Sequence, residues 1–202
     1  MKSTSMKQYL KNTFLCLLAL TLNIALSFLS SFLHISLFLD SIFTVALIFY
    51  CGLVPALVVA AFYNPLMTLI RCAIYGTEIF YFDFLYALCG ILIVIITWAL
   101  SRNKKEFFFS KTVTVLYLFI IVFASSFASS FMASILDTYI RPLFEKTSGF
   151  SSLDKYSLAF QQLKFDTFLS YLLPRIPITV LDRLICTFAG FGIYRLAERR
   201  FS

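Results

Sequence analysis

Charged residues are scarce in this chain. Lys, Arg, Asp and Glu together make up 13% of its 202 residues, about half the share found in a typical soluble domain. Hydrophobic residues reach 60% and the mean hydropathy is +0.89. This balance predicts an all-α integral membrane protein, and the length suits a single membrane domain over residues 1–202. The net charge of +7 does not indicate nucleic-acid binding, because Lys and Arg mark the cytoplasmic loops of membrane proteins.

The sequence also lacks the common catalytic and nucleotide-binding motifs. It contains no G-x-x-x-x-G-K-[ST], no H-E-x-x-H and no G-x-S-x-G. A single His cannot build a His-rich metal site. The five cysteines show no C-x-x-C spacing, which favours apolar packing over a zinc site or a disulfide framework; they are Cys16, Cys51, Cys72, Cys89 and Cys186. We therefore predict a protein that is not an enzyme and holds no cofactor or metal.

Long apolar runs dominate what is present. Since a helix needs about 20 apolar residues to span a membrane, we predict a compact bundle of six transmembrane helices, at residues 13–33, 39–51, 53–70, 82–100, 112–136 and 178–196. Gly52 and Pro55 predict a tight turn between the second and third spans. A single kinked helix is the alternative, but about 30 residues is long for one crossing. Residues 137–177 form an outer loop with a short amphipathic helix near SLDKYSLAFQQLKF.

The distribution of basic residues predicts which side each end occupies. Six spans place both termini on the same side, together with the basic loop after the fourth span. That side carries Lys2, Lys7, Lys11, Arg102, Lys104, Lys105, Lys111, Arg195, Arg199 and Arg200. The positive-inside rule then predicts cytoplasmic termini in a multi-pass protein of the cell membrane.

Six polar residues fall at the outer level of this topology: Asp40, Asn64, Arg71, Asp83, Asp182 and Arg183. A charge deep in a bilayer costs roughly 2.5–3.5 kcal/mol on insertion scales, so such residues are expected to be compensated or to face a ligand. One interpretation is a buried ion pair between Asp40 and Arg183, with Asn64 adding a hydrogen bond. The other is an outer-half pocket that binds a small-molecule substrate. For His34, Glu78 and Asp83 alone, a solvated interfacial position is favoured.

Two segments resemble the substrate-binding S components of energy-coupling factor (ECF) vitamin transporters. In the first, LDSIFTVALIFYCGLVPALVVAAFYNPL, the matching residues are Leu39, Asp40, Ser41, Thr44, Gly52, Pro55, Ala56, Ala60 and Asn64. The second, IPITVLDRLICTFAGFGIYRL, is similar to the last helix of an S-component-like group through Asp182, Arg183, Gly190, Gly192 and Tyr194. The first predicted helix, reading CLLALTLNIALS, does not carry the A-x-x-x-A docking motif common in that family.

The resemblance implies a membrane-embedded subunit that captures a small, vitamin-like nutrient from outside. Such a subunit hydrolyses nothing itself and works with an ECF coupling protein and two cytoplasmic ATPases. Related membrane segments also serve as sensor domains, so ligand binding without transport is the alternative. A membrane enzyme using Asp40 and Asp182 is the least favoured reading, because no recognised catalytic motif supports it.

Overall fold

The described part of the chain is built from helices. The computed structural model describes residues 6–33, 35, 37–144 and 152–201. The α-helices are α1 (Met6–Phe32), α2 (Ile42–Cys51), α3 (Leu53–Tyr75), α4 (Ala87–Ser101), α5 (Lys104–Phe107), α6 (Lys111–Ile135), α7 (Ser152–Gln162) and α8 (Thr167–Phe201). A 3-10 helix (Tyr81–Tyr86) leads into α4, and a π-helical turn (Leu136–Ile140) and a 3-10 turn (Arg141–Leu143) follow α6. The described residues contain no strand, and His34 lies outside them.

Five of the helical stretches are long and apolar enough to cross a membrane. They are Gln8–Phe32, Leu53–Tyr75, Tyr81–Ser101, Lys111–Leu143 and Thr167–Arg200. Large apolar side chains such as Phe14, Phe62 and Phe123 are exposed on their outer surfaces. This arrangement is that of a multi-pass membrane bundle, which needs an apolar exterior.

Helix α2 differs from the five long helices. It has 10 residues and is therefore about 15 Å long, roughly half the thickness of the hydrocarbon core. Seven of its residues are buried inside the bundle. It begins at Ile42 and not at residue 39, because residues 37–41 do not adopt helical conformation. The described residues thus form five helices long enough to cross a membrane and one short buried helix, so the sixth crossing stays a prediction.

The directions of α2 and α3 follow from their contacts with α1. Near the start of α1, Lys11 Nζ donates to the hydroxyl of Tyr50, 2.9 Å away. Further along α1, the amide of Asn23 donates to Thr44 Oγ1 at 2.8 Å. The residue numbers fall along α2 as they rise along α1, so the two helices are antiparallel.

Helix α3 runs in the same direction as α1. Cys16 lies 3.5 Å from the carbonyl of Pro55, and Ser27 lies 2.5 Å from the hydroxyl of Tyr63. The chain therefore reverses between α2 and α3, as predicted, and does not continue as one kinked helix. The reversal occurs at Gly52, whose φ of 86° and ψ of −162° lie in a region that is essentially restricted to glycine.

Aromatic packing identifies one end of the bundle. The ring of Phe49, at the end of α2, lies 5.6 Å from that of Tyr194 in α8 and 5.5 Å from that of Phe107 in α5. Because Phe49 directly precedes Tyr50, which contacts Lys11, the start of α1 and the end of α8 lie at the same end. We call this the basic end, since the loop 102–110 and the final basic residues are also there.

The last helix is longer than the sequence predicts. It begins at Thr167 instead of residue 178 and contains both Pro174 and Pro177. Proline is tolerated inside long membrane helices because neighbouring groups satisfy the backbone it frees. The predicted outer loop of residues 137–177 therefore holds the start of α8 and also α7, which confirms the short helix predicted near SLDKYSLAFQQLKF.

Candidate functional site

The candidate site is built around the non-helical residues 37–41, which lie beside α1 within the bundle. Ser27 Oγ donates to the carbonyl of Phe38 at 2.8 Å, and Ser30 Oγ donates to the carbonyl of Leu37. Leu39 has a φ of 47°, a left-handed conformation that is uncommon outside glycine. Backbone at membrane depth needs hydrogen-bond partners from the protein itself, and the α1 serines supply them for the carbonyls.

Asp182 of α8 supplies hydrogen-bond partners for backbone amides of the same non-helical segment. Its Oδ1 accepts the backbone N–H groups of Phe38 and Leu39, each at 2.8 Å. The residue is 0% exposed. A carboxylate that accepts two backbone N–H groups makes strong charge-assisted hydrogen bonds. Asp182 thus fixes the path of the chain immediately before α2.

Arg183 joins this carboxylate to Asp40. Its Nη2 donates to Asp40 Oδ1 at 2.6 Å and also to Asp182 Oδ2, while Nη1 donates to Ser41 Oγ at 2.5 Å. The Arg183 side chain is 3% exposed, whereas that of Asp40 is 25% exposed. We call Asp40, Ser41, Asp182 and Arg183 the Asp–Arg cluster. The predicted ion pair between Asp40 and Arg183 is confirmed.

Asn23 completes the start of α2. Its Oδ1 accepts the N–H of Phe43 at 3.1 Å, and its Nδ2 donates to Thr44. Ser41 occupies the N-cap position but makes no capping bond; its hydroxyl accepts from Arg183. The neighbouring helix therefore provides the cap. Sequence reasoning missed this role, although an amide in the apolar run of α1 was a visible signal.

The other predicted site residues do not join the Asp–Arg cluster. Asn64 is half-buried and its side chain makes no hydrogen bond with the described residues, so the hydrogen bond expected from it comes from Ser41 instead. Arg71 is exposed, with its Nη2 3.5 Å from Ser31 Oγ. Asp83 is half-buried in the 3-10 helix before α4. Three of the six predicted residues are therefore brought together: Asp40, Asp182 and Arg183.

A second buried polar group was not predicted. Arg175 Nη2 donates to Asp137 Oδ2 at 2.6 Å, and the Tyr86 hydroxyl donates to Asp137 Oδ1 at 2.5 Å. Arg141 lies 3.8 Å from the same carboxylate. We call Tyr86, Asp137 and Arg175 the Tyr–Asp–Arg cluster. It was missed because residues 137–177 were assigned to a loop, which would leave Asp137 and Arg175 in solvent.

Both clusters draw on α8, which carries Arg175 in one cluster and Asp182 and Arg183 in the other. Arg175 precedes Arg183 by eight residues, which is about 12 Å along a helix. The buried charges of the described residues therefore gather on and beside one stretch of α8.

The arrangement offers binding groups and no metal site. Within residues 6–33, 35, 37–144 and 152–201, no three His, Cys, Asp or Glu side chains are placed to hold a metal ion. A surface depression of about 400 Å³ lies at the basic end and is lined by Lys105, Glu106, Phe109, Val113 and Tyr117. It includes none of the predicted site residues, so the outer-half pocket stays a prediction.

The partly exposed carboxylate of Asp40 is the group of the Asp–Arg cluster that can meet a solute, since Asp182 and Arg183 are enclosed. Comparison of the chain with models of known protein families, with curated proteins and with solved structures finds no match.

Proposed function

We propose that this protein is a membrane-embedded capture subunit for uptake of a small, vitamin-like nutrient, of the kind found in ECF-type transporters. The observation that carries the proposal is the Asp40 carboxylate. It is held at the inner end of a non-helical segment, within a buried charged cluster, and 25% of its side chain is exposed. Ionisable groups inside a membrane are most often functional.

The charge of the Asp–Arg cluster supports solute binding. Two carboxylates share one guanidinium, so the cluster carries one excess negative charge when all three groups are ionised. A cationic or hydrogen-bond-donating group of a solute would balance it. Non-helical backbone at membrane depth occurs where it is buried in protein or lines a cavity, and broken helices frame many transporter sites.

The course of the chain supports six crossings. From the outer side, residues 37–41 and α2 together return the chain to the basic end, although α2 alone covers only about half the thickness of the hydrocarbon core. With α1, α3, α4, α6 and α8 this makes six passes. Since the basic residues gather at one end, that end is cytoplasmic by the positive-inside rule, and Asp40 lies in the outer half.

Transport by such a subunit needs an energy source from other chains. We propose a coupling protein and two cytoplasmic ATPases as partners. These would dock on the basic side of the bundle or on the exposed apolar faces of its helices. The capture step itself requires binding alone, which fits a cluster whose groups are charged and hydrogen-bonding.

The proposal is tested by purifying the protein gently from its native membranes and identifying retained small molecules and copurifying chains by mass spectrometry. We expect a specific solute and ATPase subunits. Asp40→Asn should lose the solute, because the charge is removed with little change in shape. Asp166→Asn is the matched control: Asp166 is exposed and caps α8, a role that Asn also fills.

Purification with neither a solute nor ATPase subunits would count decisively against the proposal. A retained solute accompanied by a kinase or phosphatase in place of ATPases would identify a sensor domain. Equal solute retention by the wild type and Asp40→Asn would show that Asp40 is not the contact.

A further inference from the structure

The Tyr–Asp–Arg cluster contains hydrogen-bonding capacity that the described residues do not use. Arg175 is 7% exposed. Its Nη2 binds Asp137, but its Nη1 has no partner among the described residues. Most buried polar groups are hydrogen-bonded, and an unpaired one is costly, more so when it is charged. The unused donor of a buried guanidinium therefore points to a missing acceptor.

A second unpartnered group lies on α6, the helix that packs along the Arg175 stretch of α8. Ser126 Oγ of α6 lies 3.4 Å from the carbonyl of Thr179 in α8. The two helices are antiparallel, so one turn further along α6 is opposite one turn earlier in α8, which brings Ser130 to the turn of Arg175. The Ser130 hydroxyl is buried, with the residue 1% exposed, and has no partner among the described residues.

The π-helical turn at Leu136–Ile140 supplies the acceptor that orients Arg175. A π turn inserts an extra residue into a helix and is frequent at functional sites. It carries Asp137, which accepts from both Arg175 and Tyr86. These two bonds fix one edge of the guanidinium and leave Nη1 free to bind.

We propose that Arg175 Nη1 and Ser130 Oγ bind a carboxylate group of the captured solute. The inference rests on the proposed function for the identity of its ligand and deepens it. Because the Asp–Arg cluster is net negative and Arg175 lies eight residues before Arg183 in α8, about 12 Å along the helix, the solute is a small amphoteric molecule. Its cationic or donating part binds Asp40, and its carboxylate binds Arg175 and Ser130.

Acetate is the probe for the carboxylate site alone. The full-length protein in phosphatidylcholine nanodiscs is heated in sodium acetate and in sodium chloride of equal ionic strength. We expect acetate to raise the midpoint of thermal unfolding by about 3 °C, as a weak ligand in excess should. Ser130→Ala removes a hydroxyl that has no partner among the described residues, so this variant should fold normally and lose at least two thirds of the shift.

Ser134→Ala is the matched control, since Ser134 Oγ is buried on the same helix but bonds the backbone of Ser130 at 2.8 Å; it should keep the shift. Arg175→Lys, which keeps the charge and removes Nη1, should lose it. No acetate shift, or equal shifts in Ser130→Ala and Ser134→Ala, would overturn the inference. So would stabilisation by phosphatidylglycerol without any by acetate, which would assign the site to a lipid phosphate. None of these results bears on retention of a solute by Asp40, which tests the proposed function separately.

Discussion

The two carboxylates bound to Arg183 have different roles. Asp182 is enclosed and accepts from four donors: the N–H groups of Phe38 and Leu39, the guanidinium and the Cys186 thiol. Asp40 accepts from the guanidinium and is partly exposed. Loss of Asp182 removes the acceptor of two part-buried backbone amides as well as one partner of the cation, while the bond that Asp40 makes to Arg183 involves no backbone group.

We therefore predict that Asp182→Ala destabilises the protein by about 3–5 kcal/mol, the usual cost of breaking a buried pair, and that Asp40→Ala costs about 1 kcal/mol or less. Thermal unfolding of both variants in the same detergent measures the difference. Arg183 keeps one carboxylate partner in each variant, so each serves as the control for the other. Equal destabilisation would contradict the assignment of backbone support to Asp182.

At the level of helices, the closest approach of α8 to α2 is made at Gly190. A Cβ built there lies 2.5 Å from the carbonyl oxygen of Ile42 and 2.8 Å from Cβ of Val45. The backbone of α2 cannot shift away from α8 without also moving Ser41, which directly precedes α2 and belongs to the Asp–Arg cluster. Gly192, two residues later in the same helix, has nothing within 4 Å of its Cβ position.

Gly190→Ala should therefore cost about 2 kcal/mol or more, because overpacking forces a backbone shift. Gly192→Ala should be neutral or stabilising by up to about 1 kcal/mol, because Ala is the better helix former. The measurement is again the thermal unfolding midpoint, and Gly192→Ala controls for the gain in helix propensity. If both variants unfold at the same temperature, α2 and α8 are not packed as closely as described.

The sequence predicts those elements that depend on composition and local turns. The long apolar runs predicted the five long helices, and Gly52 predicted the reversal of the chain before α3. It did not predict that residues 39–41 are outside the helix, since the path of this segment depends on Asp182, which lies 143 residues away from Leu39 along the chain. A hydropathy profile contains no information about hydrogen bonds between residues that are distant in sequence.

Dependence on contacts that are distant in sequence also explains why only part of the candidate site was predicted. Asp40, Asp182 and Arg183 stand out as charges in apolar surroundings, so they could be found from the sequence. The Tyr–Asp–Arg cluster could not, because Pro174 and Pro177 suggest a break where α8 continues. Only with α8 extended to Thr167 does Arg175 lie inside the bundle, opposite Asp137.

On the scale of the whole molecule, the basic end is separate from the two buried clusters. The start of α1, the loop 102–110 and the last turns of α8 form the basic end. Both buried clusters involve α8 residues 175–183, which come well before those last turns. A solute from outside would reach Asp40 without passing the basic end, and partners in the cytoplasm would meet the basic end without obstructing the solute. The proposed orientation is therefore the one in which capture and energy supply do not compete.

This orientation predicts a result for thiol labelling in right-side-out membrane vesicles. The background replaces the native cysteines Cys16, Cys51, Cys72, Cys89 and Cys186. Thr77→Cys places a thiol in the exposed connection after α3, and Asn103→Cys places one in the exposed loop before α5. A membrane-impermeant maleimide should label the first variant at once and the second only after the vesicles are opened with detergent, because the two positions lie at opposite ends of the bundle. Labelling of Asn103→Cys in sealed vesicles would reverse the orientation, and it would place Asp40 in the cytoplasmic half, where capture of an external nutrient could not begin.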